Sequence, residues 1–503
     1  MRRLLLAGLF LSTPLAAQSG STRAAGTITP ADIARRIGVI AHDSMMGRDT
    51  PSRGLDLTAQ YVASEFKKFG LKPAGDSGTF IQHYPLYRRQ LDAANSTILF
   101  RGEAEIPVSF ADGAMVLFGD APAGPVIGDM VLMGGVVDEK QIVGDAVKDR
   151  VVVWPVDFSK PLPGNAGLVV NALVAGGAKL LVVISNRDSA SFADQRNMRQ
   201  GEQVSMGNEP GGGPLVIEVD EKAIISLFPE AAQQFTQLRG ATTMIIQPVP
   251  EWSAELIIKE TTLGTTMVPN TIGILEGSDP TLKNEYIVYS AHMDHIGIQP
   301  NATDSISNGA DDDASGTVGV IELAQAFAER GARPRRSILF ITVSGEEKGL
   351  WGSSYFADHP TVPLKDIVAD LNIDMIGRNW KDTVVAIGME HSDLGATLDR
   401  VGAAHPELRM KPINDPWPQE GLYFRSDHYN FARKGVPVLF FTSGLHEDYH
   451  KVSDSPDKID SEKEARLLRL LFFLGQDIGN NPTRPQWSPE SYKQIVQEAG
   501  STP

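Results

Sequence analysis

The chain has 503 residues, with 46 basic against 62 acidic side chains, a net charge of −16 and no cysteine. That length exceeds one ordinary core, and the acidic balance argues against a nucleic-acid partner and against a polybasic membrane-binding face. Without thiols there are no disulfides, no thiolate metal site and no cysteine nucleophile, so any metal must be held by His, Asp and Glu.

Residues 1–18 have a basic start, an apolar run from Leu4 to Leu11 and small residues near Ala17. This is the pattern of a secretory signal peptide, so a secreted or periplasmic protein is expected. No later apolar run reaches bilayer-spanning length, and no stable membrane anchor is expected. Thr29 and Pro30 read as the N-cap and first residue of a helix reaching about His42, and a second helix is expected over Leu55 to Phe69, stopped by Gly70. Between 108 and 250 the texture changes to short β-like runs (RVVVWPV, KLLVVIS) separated by Gly and Pro, with no histidine. These observations predict a β-rich domain inserted between an N-terminal part, 28–107, and a second part, 251–480, with a tail at 481–503.

The second part is organised around Tyr286 to Ser354. Two apolar runs, YIVYSA and SILFITVS, flank a helical pattern from about Ser315 to Arg330, which makes a βαβ unit. Apolar runs without alternation suit parallel strands covered on both faces, so the predicted fold is α/β, with a mostly parallel central sheet flanked by helices. DIVADLNIDMIG and VPVLFFTSG read as further strands, and 461–479 as an amphipathic closing helix. Ligands in such sheets bind beyond the carboxyl ends of the strands, where this chain places acids and histidines.

His292 and Asp294 share a face, so Asp294 can accept the second ring N–H of a metal-bound His292. His295 points the other way and reads as structural. Asp311, Asp313, Ser315, Gly316 and Glu322 stand at EF-hand positions, but a loop precedes them and a helix begins within them, which argues against calcium. One of the three adjacent carboxylates could bridge metal ions, while the others favour the helix dipole. Glu346 and Glu347 follow a strand and point apart, so one can bind metal while the other faces a water as base; a solvated acidic turn is the plain alternative. His446 to His450 spells HExxH, which works only on a helix. Gly444 before it and Ser453 to Pro456 after it predict a loop instead, supplying one ligand, His450.

The segments SAHMDHIG, NGADDDASG, SGEEKGLWGS, LNIDMIG, FRSDHYNF and DYHKVSD, in this order, resemble the co-catalytic dizinc peptidase family of bacterial leucyl aminopeptidases and glutamate carboxypeptidase II. The fold implied is zinc-peptidase/phosphorylase-hydrolase-like, and the region 108–250 is similar to a protease-associated (PA) domain. The resemblance implies two zinc ions, with His292 and Asp374 on one, Glu347 and His450 on the other, and Asp312 between them. Glu346 would be the general base, Asp294 the acid behind His292, and Tyr449 the oxyanion stabiliser, in competition with Tyr423. Peptide substrates are implied, attacked from the N-terminus. Carboxypeptidase or dipeptidase action is the nearest rival, with Arg378 or Arg425 to meet a carboxylate. A single-zinc peptidase on His446, Glu447 and His450, and a non-catalytic binding protein working through the inserted domain, are the alternatives of other classes.

Overall fold

The computed structural model describes residues 20–119, 121–162, 164–206, 215–299 and 303–498. The signal-peptide reading lies outside them, as do the last five residues of the expected tail. The chain divides into two compact units: unit 1 comprises Met1–Tyr84 with Met267–Pro503, and unit 2 comprises Pro85–Thr266. The segment 108–250 falls inside unit 2.

Unit 1 opens with α1 (Pro30–Ile40), where the Thr29 side chain accepts from the Asp32 N–H, and α2 (Arg53–Lys68), where Ser52 accepts from the Leu55 N–H. Such caps contribute about 1 kcal/mol each. There follow β1 (Glu260–Leu275), β2 (Tyr286–His292), α3 (Gly316–Ala328), β3 (Ser337–Val343), α4 (Trp351–Asp358), β4 (Ile367–Ile373), β5 (Thr383–Ile387), α5 (Leu394–Ala404), β6 (Lys411–Ile413), α6 (His428–Ala432), β7 (Val438–Thr442) and α7 (Ser461–Asn480). The sheet runs β6-β5-β7-β4-β2-β3-β1. Its centre is parallel, β7 on β4, β4 on β2 and β2 on β3, and antiparallel pairs occur at β3 with β1 and β5 with β7. Every residue of β3 and β4 is buried, which is why their sequences do not alternate.

Helices α1, α3 and α7 cover one face through Ile33, Ile37, Val318, Ile321, Leu467, Leu471 and Leu474. Each such buried side chain contributes roughly 1.5–3 kcal/mol, so the layer holds the strand ends in fixed register. The first helix ends two residues short of His42 and the second starts two before Leu55, the usual margin at helix ends.

Unit 2 is an eight-stranded sheet with a parallel middle, in which 126–134, 151–156, 180–185 and 216–220 are consecutive neighbours. Helices Ala166–Ala175, Ser189–Arg199 and Ala231–Gly240 accompany it. All ten histidines of the chain belong to unit 1.

Candidate metal centre

The loops beyond β2, β3, β4 and β7, together with the turn before α3, meet at the carboxyl edge of the parallel strands. His292 is the last residue of β2. Its Nε2 stands 3.4 Å from Asp312 Oδ1 and 3.6 Å from Asp374 Oδ1. On the other side of Asp312, His450 Nε2 lies 3.3 Å from Asp312 Oδ2 and 3.0 Å from Glu347 Oε2. Asp312 therefore faces two groups, one through each oxygen. His292, Asp312, Glu347, Asp374 and His450 are brought together although more than a hundred and fifty positions separate the first from the last.

Asp294 lies behind His292, with its Oδ1 3.6 Å from Nδ1. Its Oδ2 also accepts from Thr50 Oγ1 and from the Gly345 N–H at 2.8 Å, and its Oδ1 from the Glu346 N–H at 3.3 Å. Glu346 and Glu347 point apart, as neighbours beyond a strand do. Glu347 meets His295 and His450, whereas Glu346 lines a cavity of about 50 Å³ with His292, Asp374, Met375, Leu422, Arg425, Phe440 and Tyr449. Burial, with Asp427 and Asp374 close by, holds the Glu346 carboxyl well above the usual range. For Asp312, burial is outweighed by the nearby rings of His295, His292 and His450, which hold it well below its ordinary value.

The other two acids of the 311–313 run serve the backbone. Asp313 accepts from the N–H groups of Gly316, Met375 and His292, and Asp311 from the Gly377 N–H at 2.6 Å and from His446 Nε2 at 3.1 Å. Helix α3 starts directly after them, so there is no EF-hand loop with an entering helix. Gly309 makes the tight entry: its φ is +56°, and a Cβ there would sit 2.2 Å from the Asp312 carbonyl oxygen. Residues 447–450 form a turn, not a helix, so the HExxH match lacks its geometry and His446 is held by Asp311.

Tyr449 lines the cavity and stacks on His450, with ring centroids 3.9 Å apart. Tyr423 packs among His391, His428 and Tyr429 and does not line it. Arg425 lines the cavity, while Arg378 is paired with Asp448 at 3.0 Å.

Two residues in the centre's frame escape the sequence patterns. His295 is fully buried, 2.7 Å from Glu347 Oε1 and 3.6 Å from Asp312 Oδ2. Alternation misleads here because β2 ends at His292 and the chain turns afterwards. Arg48, also fully buried, donates to the carbonyls of Ile40, Met293, Asn308 and Gly309 and so fixes the loops on both sides of the centre. Arg48 stands in GRDTPSRGLDLTAQYVASEF, which resembles the family's opening helices, but that resemblance gives it no role, and only the fold exposes one.

The donor set suits a divalent cation. His295, Asp312 and Glu347 offer atoms within 4.8 Å of one another, as do His292, Asp374 and Asp313, although both Asp313 oxygens already accept backbone N–H groups. Buried His292 Nε2 and Asp312 Oδ2 have no hydrogen-bond partner. Unpartnered buried polar atoms are costly, and a cation bound at each would relieve that cost.

The model of peptidase family M28 matches residues 270–474. The chain is 28% identical over 298 residues to aminopeptidase YwaD of Bacillus subtilis, covering 58% of this chain and 54% of that protein. It is 32% identical over 241 residues to a probable zinc metalloprotease of Pyrenophora teres f. teres, covering 42% of this chain and 48% of that protein. The chain thus spans about half the length of these relatives. Among solved structures, an aminopeptidase from Aneurinibacillus sp. strain AM-1 superposes with a TM-score of 0.52 at 17% identity, over 93% of this chain and 98% of that one, which is a likeness of fold. Residues 270–474, the part of the chain that matches the model of peptidase family M28, carry His292, Asp312, Glu346, Glu347, Asp374 and His450.

Proposed function

We propose that this protein is an exported dizinc aminopeptidase that removes N-terminal residues from peptides. The observation that carries the reading is the convergence of His292, Asp312, Glu347, Asp374 and His450, with buried ring and carboxylate atoms left unpartnered. His292 and Asp374 would hold one ion, Glu347 and His450 the other, and Asp312 both. Bound zinc supplies Lewis acidity, making water easier to deprotonate and a peptide carbonyl easier to attack. Glu346, facing the cavity, accepts the proton of the attacking water and passes it to the leaving amine. The Tyr449 hydroxyl donates to the oxygen on which negative charge develops. Asp294 keeps His292 in its ligating orientation, and His295 braces Glu347. Export is supported by the signal-peptide pattern at 1–18.

Arg425 in the cavity wall favours one second reading, a carboxypeptidase whose arginine meets the substrate carboxylate. A peptide panel decides between them. With an N-terminally acetylated peptide the aminopeptidase loses cleavage and with a C-terminally amidated one it keeps it; the reverse pattern would establish the rival, and chelation should stop either activity. No cleavage of any peptide by the zinc-loaded protein would overturn both.

A further inference from the structure

The face of β4 that ends in Asp374 carries Asn372 and Asp370 behind it, two residues apart as strand alternation requires. On β2 the partner of Asn372 is Ser290, and the partner of Asp370 is Val288. Ser290 therefore sits level with Asn372 and reaches both of its β4 neighbours. Its Oγ is 2.7 Å from Asp370 Oδ1 and 2.9 Å from Asn372 Oδ1. Asn372 Nδ2 is 2.9 Å from Ser426 Oγ, and Ser426 Oγ is 2.7 Å from Asp374 Oδ2. Asp374 presents its other oxygen to His292. All five residues are buried.

Counting protons fixes the direction of this chain. As a metal ligand Asp374 is ionised and only accepts, so Ser426 gives it its single proton. Ser426 must then accept from Asn372, which turns the Asn372 amide nitrogen toward Ser426 and its carbonyl toward Ser290. That carbonyl takes the only proton Ser290 has. The Ser290 oxygen now faces Asp370 Oδ1 at hydrogen-bond distance with nothing left to donate. The missing proton must be on Asp370.

We propose that Asp370 is held as a neutral carboxylic acid and is a positioning residue: it starts a one-way hydrogen-bond chain through Ser290, Asn372 and Ser426 that keeps Asp374 turned toward its metal ion. The inference rests on the reading of Asp374 as a zinc ligand. Its surroundings agree with it. Asp370 is fully buried and its Oδ2 has no partner. Burial, offset in part by Ser290 and reinforced by Asp427, pushes its carboxyl up to about 8. A neutral acid avoids the cost of an unpaired buried charge.

Two measurements test this. The first is the infrared difference spectrum at neutral pH between the wild type and Asp370→Asn, in both the metal-free and the zinc-loaded protein. Loss of a protonated-acid carbonyl band is expected; loss of carboxylate bands alone would overturn the proposal. The second is zinc affinity by competition with a chromophoric chelator, in Asp370→Asn, whose amide can still donate to Ser290, and Asp370→Leu, which cannot. Asp370→Asn is expected within about twofold of the wild type and Asp370→Leu weakened by about tenfold, the scale of outer-sphere effects on metal sites. Equal weakening in both would overturn the proposal. Should Asp370→Leu not fold, Ser290→Ala cuts the chain one residue later and is expected to show the same tenfold loss; an unchanged affinity there counts against the chain. A wild type that binds no zinc would instead overturn the reading of the centre, and the infrared band would still decide the state of Asp370.

Discussion

Both units contain a parallel sheet whose strands are buried apolar runs, Val151–Val156 and Leu180–Ser185 in unit 2, Tyr286–His292 and Ser337–Val343 in unit 1. They differ at the strand ends. In unit 2 most polar residues at the strand ends find partners locally: Asp157 accepts from Ser159 and Asn186, Asp188 caps the helix Ser189–Arg199, Asp220 accepts from the Lys222 N–H, and Arg187 pairs with one oxygen of the buried Glu218, whose other oxygen is left over. In unit 1 the corresponding residues are buried and converge, with acceptor and ring atoms left over. Among the described residues, both candidate metal-holding groups lie in unit 1. A parallel sheet offers the edge, and whether it becomes a reactive centre depends on whether the side chains there finish their bonds locally or leave them open.

The largest expected effect comes from closing the open bonds of unit 1. Asp312→Ala should release both ions and abolish turnover, read by metal content and peptide cleavage, whereas Glu346→Gln should keep the metal and lose about 10²- to 10⁴-fold in kcat. A metal-replete, active Asp312→Ala protein would dissolve the contrast between the two edges. Next, Arg48→Met leaves three buried carbonyls and one part-buried carbonyl without their donor, and a loss of about 3 kcal/mol in urea unfolding is expected. In unit 2, Asp188→Ala should cost about 1 kcal/mol of stability through the lost cap and leave turnover untouched. A fall in turnover would show that the unit 2 edge is not merely structural.

The smallest effect belongs to surface carboxylates, which behave alike in both units. Bonds from Lys72 and Lys283 lower Glu276 to about 2, and the Leu282 N–H with Arg335 lowers Asp279 to about 2; Asp157 is lowered by Ser159 and Asn186. A depressed carboxyl stabilises the fold above its unfolded pKa and loses that contribution as pH falls through its folded pKa. The melting temperature should therefore drop between about pH 4.5 and pH 2, and Asp279→Asn should flatten part of that slope.

Where one local rule acts alone, the sequence spoke plainly. Thr29-Pro30 starts a helix and Gly70 ends the next region of the chain because cap and turn chemistry need only near neighbours. His292, Asp374 and Glu346 stand just past apolar runs, so strand-end logic located them. His295 was harder, since it lies beyond the end of a strand and alternation no longer applies. Arg48 and Asp370 were invisible because three of the four carbonyls that Arg48 meets are 245 to 261 positions away, and Asp370 meets a serine on a neighbouring strand. Such partners are set by tertiary register, which no short window contains.

Asp294 ties Glu346 to His292 more closely than proximity alone. One carboxylate stands behind the His292 ring and also receives the Gly345 and Glu346 amides, so on the proposed reading the spacing of base and ion depends on a single side chain. Lengthening it, as in Asp294→Glu, shifts both ends together, and neither metal affinity nor proton transfer can be tuned at that position without disturbing the other.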